Sequence, residues 1–323
     1  MRRRAFLAGL SLMTVAPVSS RGASQTSKSI GWLTFTGAGE SDFIGDTMTA
    51  LEELGWKRGS NINLVRRVPT TAREIQGDAE ELVKLRPNVI VTNGEGPTST
   101  ILALSKTQPV MFYNTYDPVA AGLVQSQARP GGQATGFVAY PVLLAQSWVQ
   151  LMQEMVPGLK RVAVVRETSI AASVPLQEAI RSVAAGHGIE VVTWPAADVD
   201  VLERALKDFH GTTPSAAIVL PDPITLRIRR EFTQYAHREK VPTMFWYSDA
   251  VRANAMMSYG PDRSLWPKTL ARCLDRLLRG TPPSSIPVEE PVRYELAINR
   301  FIAKQIGLEI PMSLSVQADL LIE

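Results

Sequence analysis

Polar and aromatic side chains follow the predicted strands of this chain at several places, and their types suit the binding of a small charged molecule. Carboxylates attract ammonium groups, arginine binds carboxylates through a planar fork, and tyrosine offers a flat ring with a polar tip. In the N-terminal half the candidate residues are Thr36, Gly37, Asn93, Gly94, Asn114, Tyr116 and Asp117. In the C-terminal half they are Arg166, Thr168, Asp222, Tyr247 and Ser248.

Several of these candidates also have a purely structural explanation. Asp117 stands directly before Pro118, an arrangement typical of a helix N-cap, and the ring of Tyr116 could instead seal a core. Asp222 could pair with a ligand ammonium and Arg166 with a carboxylate, but both could equally form ion pairs within the protein. The sequence leaves these alternatives open.

Two loops rich in small residues could bring a ligand close to the backbone. The first, residues 34–41, contains Thr36 and Gly37 but lacks the GxGxxG spacing of a dinucleotide site, so it is either a ligand contact or an ordinary strand-to-helix turn. The second, residues 92–99, contains Asn93 and Gly94, together with Glu95, which could meet an amino group or lie in solvent.

Motifs for catalysis, metals and cofactors are missing from the sequence. There is no GxSxG, HExxH or GxxxxGK[ST] motif, and the three histidines are His187, His210 and His237. The single cysteine, Cys273, has leucine neighbours at helical spacing, which predicts a core position. We therefore expect a protein that is not an enzyme and has no cofactor and no metal site.

The charge balance argues against nucleic acid as a partner. The chain has 34 basic and 31 acidic residues, a net charge of +3, and part of the excess lies in Arg2, Arg3, Arg4 and Arg21. Those arginines, the apolar run that follows Arg4 and the small residues after it are typical of an export signal. We expect a twin-arginine-like signal over residues 1–27, with the Sec route as the alternative, and a periplasmic protein that is soluble after the signal is removed.

The elements that position the candidates alternate between short apolar strands and amphipathic helices, which is typical of βαβ units with a parallel sheet. A first series of predicted strands covers residues 30–35, 61–66, 88–92 and 109–113, and a second covers 161–166, 189–194, 216–221 and 242–247. Two such series predict two similar Rossmann-like α/β lobes, since one core rarely grows beyond about 250–300 residues. The first lobe should comprise 28–138 with part of 259–291, and the second 139–258 with part of 292–323.

Several short runs occur together in an order and spacing that resembles a known family. The runs are Leu51–Trp56, Asn61–Ile62, Arg86–Thr92, Tyr116–Val119, Gly122–Val124, Ala128–Gly132, Thr135–Phe137, Met257–Gly260, Ile306–Pro311 and Ala318–Asp319. Together they resemble the bacterial ABC transporter substrate-binding proteins related to tryptophan-binding proteins, which have the type I periplasmic binding fold. Two departures fall near the expected cleft: Tyr116 replaces a frequent threonine, and Gln133-Ala134 replaces Asn-Val within a Gly-Asn-Val-Thr-Gly run.

The resemblance implies two lobes crossed three times by the chain, a hinge, and closure on a ligand in a central cleft. It implies a monomer that captures a small amino-acid-like or aromatic carboxylated molecule and delivers it to an ABC permease in the inner membrane. The alternative is a periplasmic sensor subunit that reports the ligand to a receptor kinase or chemoreceptor, because the same fold serves both roles.

Overall fold

The computed structural model describes residues 27–34, 40–197, 199–209, 211 and 213–323 of this chain. Thr36 and Gly37 lie outside the described residues, as does the predicted export signal apart from Ser27. The described residues form two α/β lobes, each built on its own mainly parallel sheet.

The first lobe, lobe 1, contains a five-stranded sheet in which every strand is parallel to its neighbours. Its strands are β1 (Lys28–Leu33), β2 (Ile62–Arg67), β3 (Val89–Asn93), β4 (Val110–Thr115) and β5 (Ala134–Val138), in the order β2-β1-β3-β4-β5. The helices that follow the first three strands are α1 (Glu40–Glu53), α2 (Ala72–Leu85) and α3 (Glu95–Leu104). Helices cover both faces of this sheet, which explains why its central strands are continuously apolar.

The second lobe, lobe 2, contains a seven-stranded sheet. Its strands are β6 (Arg161–Arg166), β7 (Glu190–Pro195), β8 (Ser215–Val219), β9 (Thr243–Phe245), β10 (Met257–Pro261), β11 (Tyr294–Asn299) and β12 (Leu320–Ile322), in the order β12-β11-β10-β9-β8-β6-β7. Only the β10–β11 pair is antiparallel among the described strands. Its helices are α4 (Leu144–Met155), α5 (Val174–Gly186), α6 (Val199–Phe209), α7 (Pro223–Arg238), α8 (Ser248–Arg252), α10 (Arg300–Gln305) and α11 (Met312–Gln317).

The chain passes between the lobes at three places. It leaves lobe 1 after β5 and enters α4, and it returns after β10 through α9 (Trp266–Leu278), which packs against α1. The indole Nε1 of Trp56 donates to Asp275 Oδ1 at 2.8 Å and so fixes α9 on lobe 1. Residues 280–291 then run along β5, where Val138 N donates to Glu289 O at 2.9 Å, before the chain crosses again into β11.

The helix α9 also contains Cys273, which is buried as the sequence predicts. Burial raises the pKa of its thiol to about 12, so the reactive thiolate is suppressed at neutral pH. No helix in the described part of the chain is both long enough and apolar enough to cross a membrane.

Gly260 lets β10 approach the residues after β9 unusually closely. A Cβ atom at this position would lie 1.9 Å from the carbonyl oxygen of Trp246, a backbone atom that cannot rotate away. Trp246 directly precedes Tyr247, and the chain crosses to lobe 1 just after Gly260. The glycine therefore sets the spacing between the end of β9 and this crossing.

Substitution of Gly260 by alanine is expected to destabilise the protein by about 1–3 kcal/mol, the usual cost of forcing extra volume into a packed region. Gly77 is the matched control, because it is exposed in α2 and an added Cβ meets nothing within 4 Å. Gly77→Ala should be neutral or stabilising by about 0.5–1 kcal/mol. Urea unfolding of wild type and both variants measures these changes in the free energy of unfolding. A free energy of unfolding for Gly260→Ala equal to that of wild type would show that the spacing between β10 and the residues after β9 is not constrained.

Candidate functional site

The carboxyl ends of strands from the two lobes meet where the lobes contact each other. From lobe 1 the ends of β3 and β4 reach this edge, and from lobe 2 the ends of β6, β8 and β9. The clearest link between the lobes is the hydroxyl of Tyr116, after β4, which donates to the carbonyl oxygen of Pro221, after β8. The candidate residues therefore lie where open α/β sheets bind ligands.

Tyr116 is buried in this link, with 7% of its surface exposed. Burial raises the pKa of its phenol well above the usual value, and the nearby carboxylates of Asp222 and Glu95 raise it further. The phenol is consequently neutral at physiological pH and acts as a hydrogen-bond donor between the lobes.

Asparagine side chains form a fixed network at the lobe 1 edge. Asn114 has the left-handed backbone conformation (φ 61°), which asparagine tolerates better than most residues. Its Nδ2 donates to Asn93 Oδ1 at 2.8 Å, and Asn93 Nδ2 donates to Thr34 Oγ1 at 3.2 Å. These bonds orient the amide of Asn114 so that its Oδ1 is buried without a hydrogen-bond partner among the described residues. A buried acceptor in this state favours a donor from a ligand.

Glu95 lies beside this network at the start of α3. Its Oε1 accepts a 2.5 Å hydrogen bond from the backbone N–H of Tyr116, which ties the loop after β3 to the loop after β4. Burial raises the pKa of this carboxyl, although backbone donors at Tyr116 and Asp117 oppose the rise. No arginine or lysine of the described residues forms an ion pair with Glu95.

Asp117 caps a turn, whereas the sequence predicts a helix after it. Its Oδ1 accepts from the backbone N–H groups of Val119 and Ala120 at 3.0 and 2.9 Å. The turn cannot continue as a helix because Gly122 takes a left-handed conformation (φ 70°). The capping role expected of Asp117 is thus observed, but on a shorter element. Gly94, with φ 83°, forms the corresponding bend before α3.

Arg166 and Asp222 both bond within lobe 2. The Nε of Arg166 donates to Gln177 Oε1 at 2.6 Å, and its Nη1 donates to carbonyl oxygens of the loop after β6 and to Ser173 Oγ. Asp222 caps α7 through Thr225 N at 2.7 Å and accepts from Glu167 N at 3.0 Å. Burial raises the pKa of Asp222 while these donors oppose the rise. The two residues together fix the shape of the lobe 2 edge, and Thr168 is exposed on the same loop.

Tyr247 follows β9 and points its hydroxyl into a buried position without a partner among the described residues. Burial raises the pKa of Tyr247 to about 12, so its hydroxyl is a neutral donor. Ser248, the next residue, is partly exposed at the first position of α8.

Aromatic rings form a continuous wall between the two edges. The ring centroids of Tyr116 and Tyr140 lie 5.7 Å apart, and those of Tyr140 and Trp266 lie 6.3 Å apart. The guanidinium carbon of Arg263 lies 5.2 Å from the Trp266 ring centroid and 5.6 Å from that of Tyr247. The sequence does not predict Tyr140, Arg263 or Trp266 as site residues, because all three lie where the chain crosses between lobes and follow no strand of either predicted series.

Metal binding finds no support in the described residues, which contain no group of three or more histidine, cysteine, aspartate or glutamate side chains able to hold an ion. The region between the lobes instead combines the polar groups of Asn114, Glu95 and Arg263 with the buried rings of Tyr116, Tyr140 and Trp266. Such a surface can bind and orient a small organic molecule that carries both charges and a ring.

Comparison with known proteins gives a consistent result. The profile of the family described as ABC transporter substrate binding protein matches residues 42–322. A tyrosine-binding protein of Clostridioides difficile is 24% identical over 265 residues, which cover 80% of this chain and 75% of that protein.

Two solved structures share the fold. A conserved domain protein from Vibrio cholerae superposes with a TM-score of 0.84 at 23% identity and covers 92% of this chain and 99% of its own. An ABC domain from Streptococcus pneumoniae in complex with L-Trp has a TM-score of 0.83 at 20% identity, with coverage of 92% and 100%.

Proposed function

This chain belongs to the family of ABC transporter substrate binding proteins, and from that premise we propose that it is the periplasmic solute-binding component of an importer. It captures a small amino-acid-like or aromatic carboxylated ligand between its two lobes. The closed form then delivers the ligand to a permease in the inner membrane. The protein acts as a monomer, without catalysis and without a cofactor.

The observation that carries this proposal is the polarity of the lobe 1 edge. Among the described residues, Asn114 Oδ1 is buried without a hydrogen-bond partner and the carboxylate of Glu95 has no ion-pair partner. Asp222 adds a buried carboxylate from lobe 2, close enough to Tyr116 to raise the pKa of its phenol. Buried negative charge is costly unless a positive group compensates it, so this part of the cleft favours an ammonium group.

The aromatic wall supports a ligand with a ring. Tyr116, Tyr140 and Trp266 form a run of three rings between the lobes, and stacked or edge-to-face pairs of these rings with a ligand ring would add to the apolar area buried on binding. The relatives named for tyrosine and for L-Trp are consistent with this class of ligand.

A thermal-shift screen of the purified protein tests the proposal. The protein is first partly unfolded and refolded to remove carried-over ligand, then screened against amino acids, aromatic acids, nucleosides and sugars. A ligand at 100 times its Kd should stabilise by about 2.7 kcal/mol. We expect the strongest shift from aromatic amino acids.

A screen in which only sugars or nucleosides stabilise the protein would refute the proposed ligand class. Uptake of the identified ligand into vesicles that contain the cognate permease then distinguishes an importer component from a sensor subunit. A sensor subunit would bind the same ligand without supporting uptake.

A further inference from the structure

Arg263 forms no ion pair with any carboxylate in the part of the chain that the structure describes. It lies in the single turn at residues 263–265, directly before α9, on the second crossing between the lobes. Its Nε is buried and has no hydrogen-bond partner, and no carboxylate of the described residues lies within ion-pair distance of it. Its neighbour Asp262 instead accepts from Ser264 and lies 3.8 Å from Arg293.

The guanidinium of Arg263 is held between aromatic rings from the two lobes. Trp266 belongs to α9 of lobe 1 and Tyr247 follows β9 of lobe 2, and the guanidinium carbon lies 5.2 and 5.6 Å from their ring centroids. Contacts of this kind orient a guanidinium and attract it to the rings, but they satisfy none of its N–H donors.

The hydroxyl of Tyr247 adds a second unused donor next to this guanidinium. Like the Nε of Arg263, it is buried and has no hydrogen-bond partner in residues 27–34, 40–197, 199–209, 211 and 213–323. The other charges that act on Tyr247 are Arg229, which lowers its pKa, and Asp249, which raises it. Asp249 is exposed and its Oδ1 lies 3.7 Å from the Nε of Arg252, which offsets its charge. The net charge around the Tyr247 hydroxyl is therefore positive, from Arg229 and Arg263.

We propose that Arg263 and Tyr247 form the carboxylate subsite of the cleft. This inference rests on the proposed function and deepens it, because it assigns the negative end of the ligand to one place. A planar carboxylate matches the guanidinium fork and accepts the phenol hydrogen at the same time. It would satisfy two buried donors that the protein itself leaves unpaired, which is the condition under which a charge-assisted hydrogen bond contributes most.

The subsite lies at the opposite end of the aromatic wall from Asn114 and Glu95. The chain of ring contacts runs from Tyr116 through Tyr140 to Trp266 and ends at Arg263. The cleft therefore has a negative end and a positive end, and it selects ligands that carry both charges. Amines that lack a carboxylate should bind much more weakly.

Calorimetric titration of wild type and Arg263→Gln with four probes tests the assignment. The probes are L-tyrosine, L-tryptophan and their decarboxylated forms, tyramine and tryptamine. Wild type should bind the amino acids more tightly than the amines. Arg263→Gln should weaken the amino acids about 10-fold to 100-fold, the effect of losing a hydrogen bond to a charged group, and leave the affinity for the amines unchanged.

The control is Arg272→Gln, since Arg272 is exposed on α9 and should not affect any probe. Tyr247→Phe, which removes only the hydroxyl, should reproduce part of the loss for the amino acids alone. Amino-acid binding by Arg263→Gln within threefold of wild type would overturn the subsite and leave the proposed function intact. Failure of wild type to bind any of the four probes, with a sugar or nucleoside bound instead, would overturn both.

Discussion

Replacement of Glu95 by glutamine is expected to weaken the binding of amine-bearing ligands about 10-fold to 100-fold while the fold is retained. The amide oxygen of glutamine can still accept the hydrogen bond from Tyr116 N, so the link between the two loops survives. The negative charge that favours a ligand ammonium is lost, and a hydrogen bond to a charged group is worth about 1.5–3 kcal/mol.

The same substitution should raise the stability of the ligand-free protein at neutral pH. Burial raises the pKa of Glu95 in the folded state above its value in the unfolded chain. The favourable contribution of this group to stability is therefore present at low pH and lost as the pH rises through the raised pKa. Above its pKa the folded wild type must hold a charge at Glu95 that Glu95→Gln does not hold, so the stability difference between the two proteins should shrink as the pH falls.

The ligand affinity of wild type should depend on pH in the opposite direction to the stability of the ligand-free protein. The affinity of wild type for an amine-bearing ligand should fall as the pH drops through the raised pKa of Glu95, whereas that of Glu95→Gln should vary little over the same range. Titration calorimetry over a series of pH values from acidic to neutral, with L-tyrosine as the ligand, measures both profiles. Glu53→Gln, on the exposed end of α1, is the control. Identical pH profiles for wild type and Glu95→Gln would exclude an ammonium contact.

The fold follows closely from the sequence where a buried strand is a largely continuous apolar run. The predicted strand at 161–166 coincides with β6, and the runs at 88–92 and 109–113 differ from β3 and β4 by only one or two residues at either end. Continuous apolar runs bounded by turn residues carry this information locally. The sequence does not predict β5 and β10, because Ala134–Val138 and Met257–Pro261 are not continuous apolar runs and their strand conformation depends on pairing with β4 or β9.

The candidate site residues also differ in how far the sequence predicts them, depending on whether they follow a predicted strand. Asn93, Asn114, Tyr116 and Asp222 directly end or follow predicted strands, and the structure places all four at the carboxyl ends of the parallel strands of their lobes. Arg263 and Trp266 lie on a crossing between lobes, and their positions depend on how two separate sheets are joined. No periodicity in the sequence encodes that arrangement, so contacts between distant residues must be known to find them.

Removal of the Tyr116 hydroxyl is expected to weaken every ligand of the cleft, amine-bearing or not, by about tenfold. The hydroxyl joins the lobes by donating to Pro221 O, a buried carbonyl oxygen. In Tyr116→Phe the closed form leaves that oxygen unsatisfied at a cost of about 1–3 kcal/mol, whereas the open form can solvate it. The closed fraction falls, and the apparent affinity falls in proportion.

Two measurements on Tyr116→Phe distinguish a link between lobes from a direct ligand contact. Small-angle scattering of the ligand-free variant should give a larger radius of gyration than wild type, because the open form gains population. Calorimetry should show equal fractional losses for L-tyrosine, L-tryptophan and tyramine. Tyr235→Phe in α7, where Arg238 lies over the ring, is the control and should change neither the radius of gyration nor the ligand affinities.

A loss of affinity confined to one of these ligands, with unchanged scattering, would mean that the hydroxyl of Tyr116 contacts the ligand itself. A shift between open and closed forms lowers the affinity for all ligands alike. An unequal loss of affinity among the three ligands would therefore place Tyr116 with Asn114 and Glu95 among the residues that select the ligand.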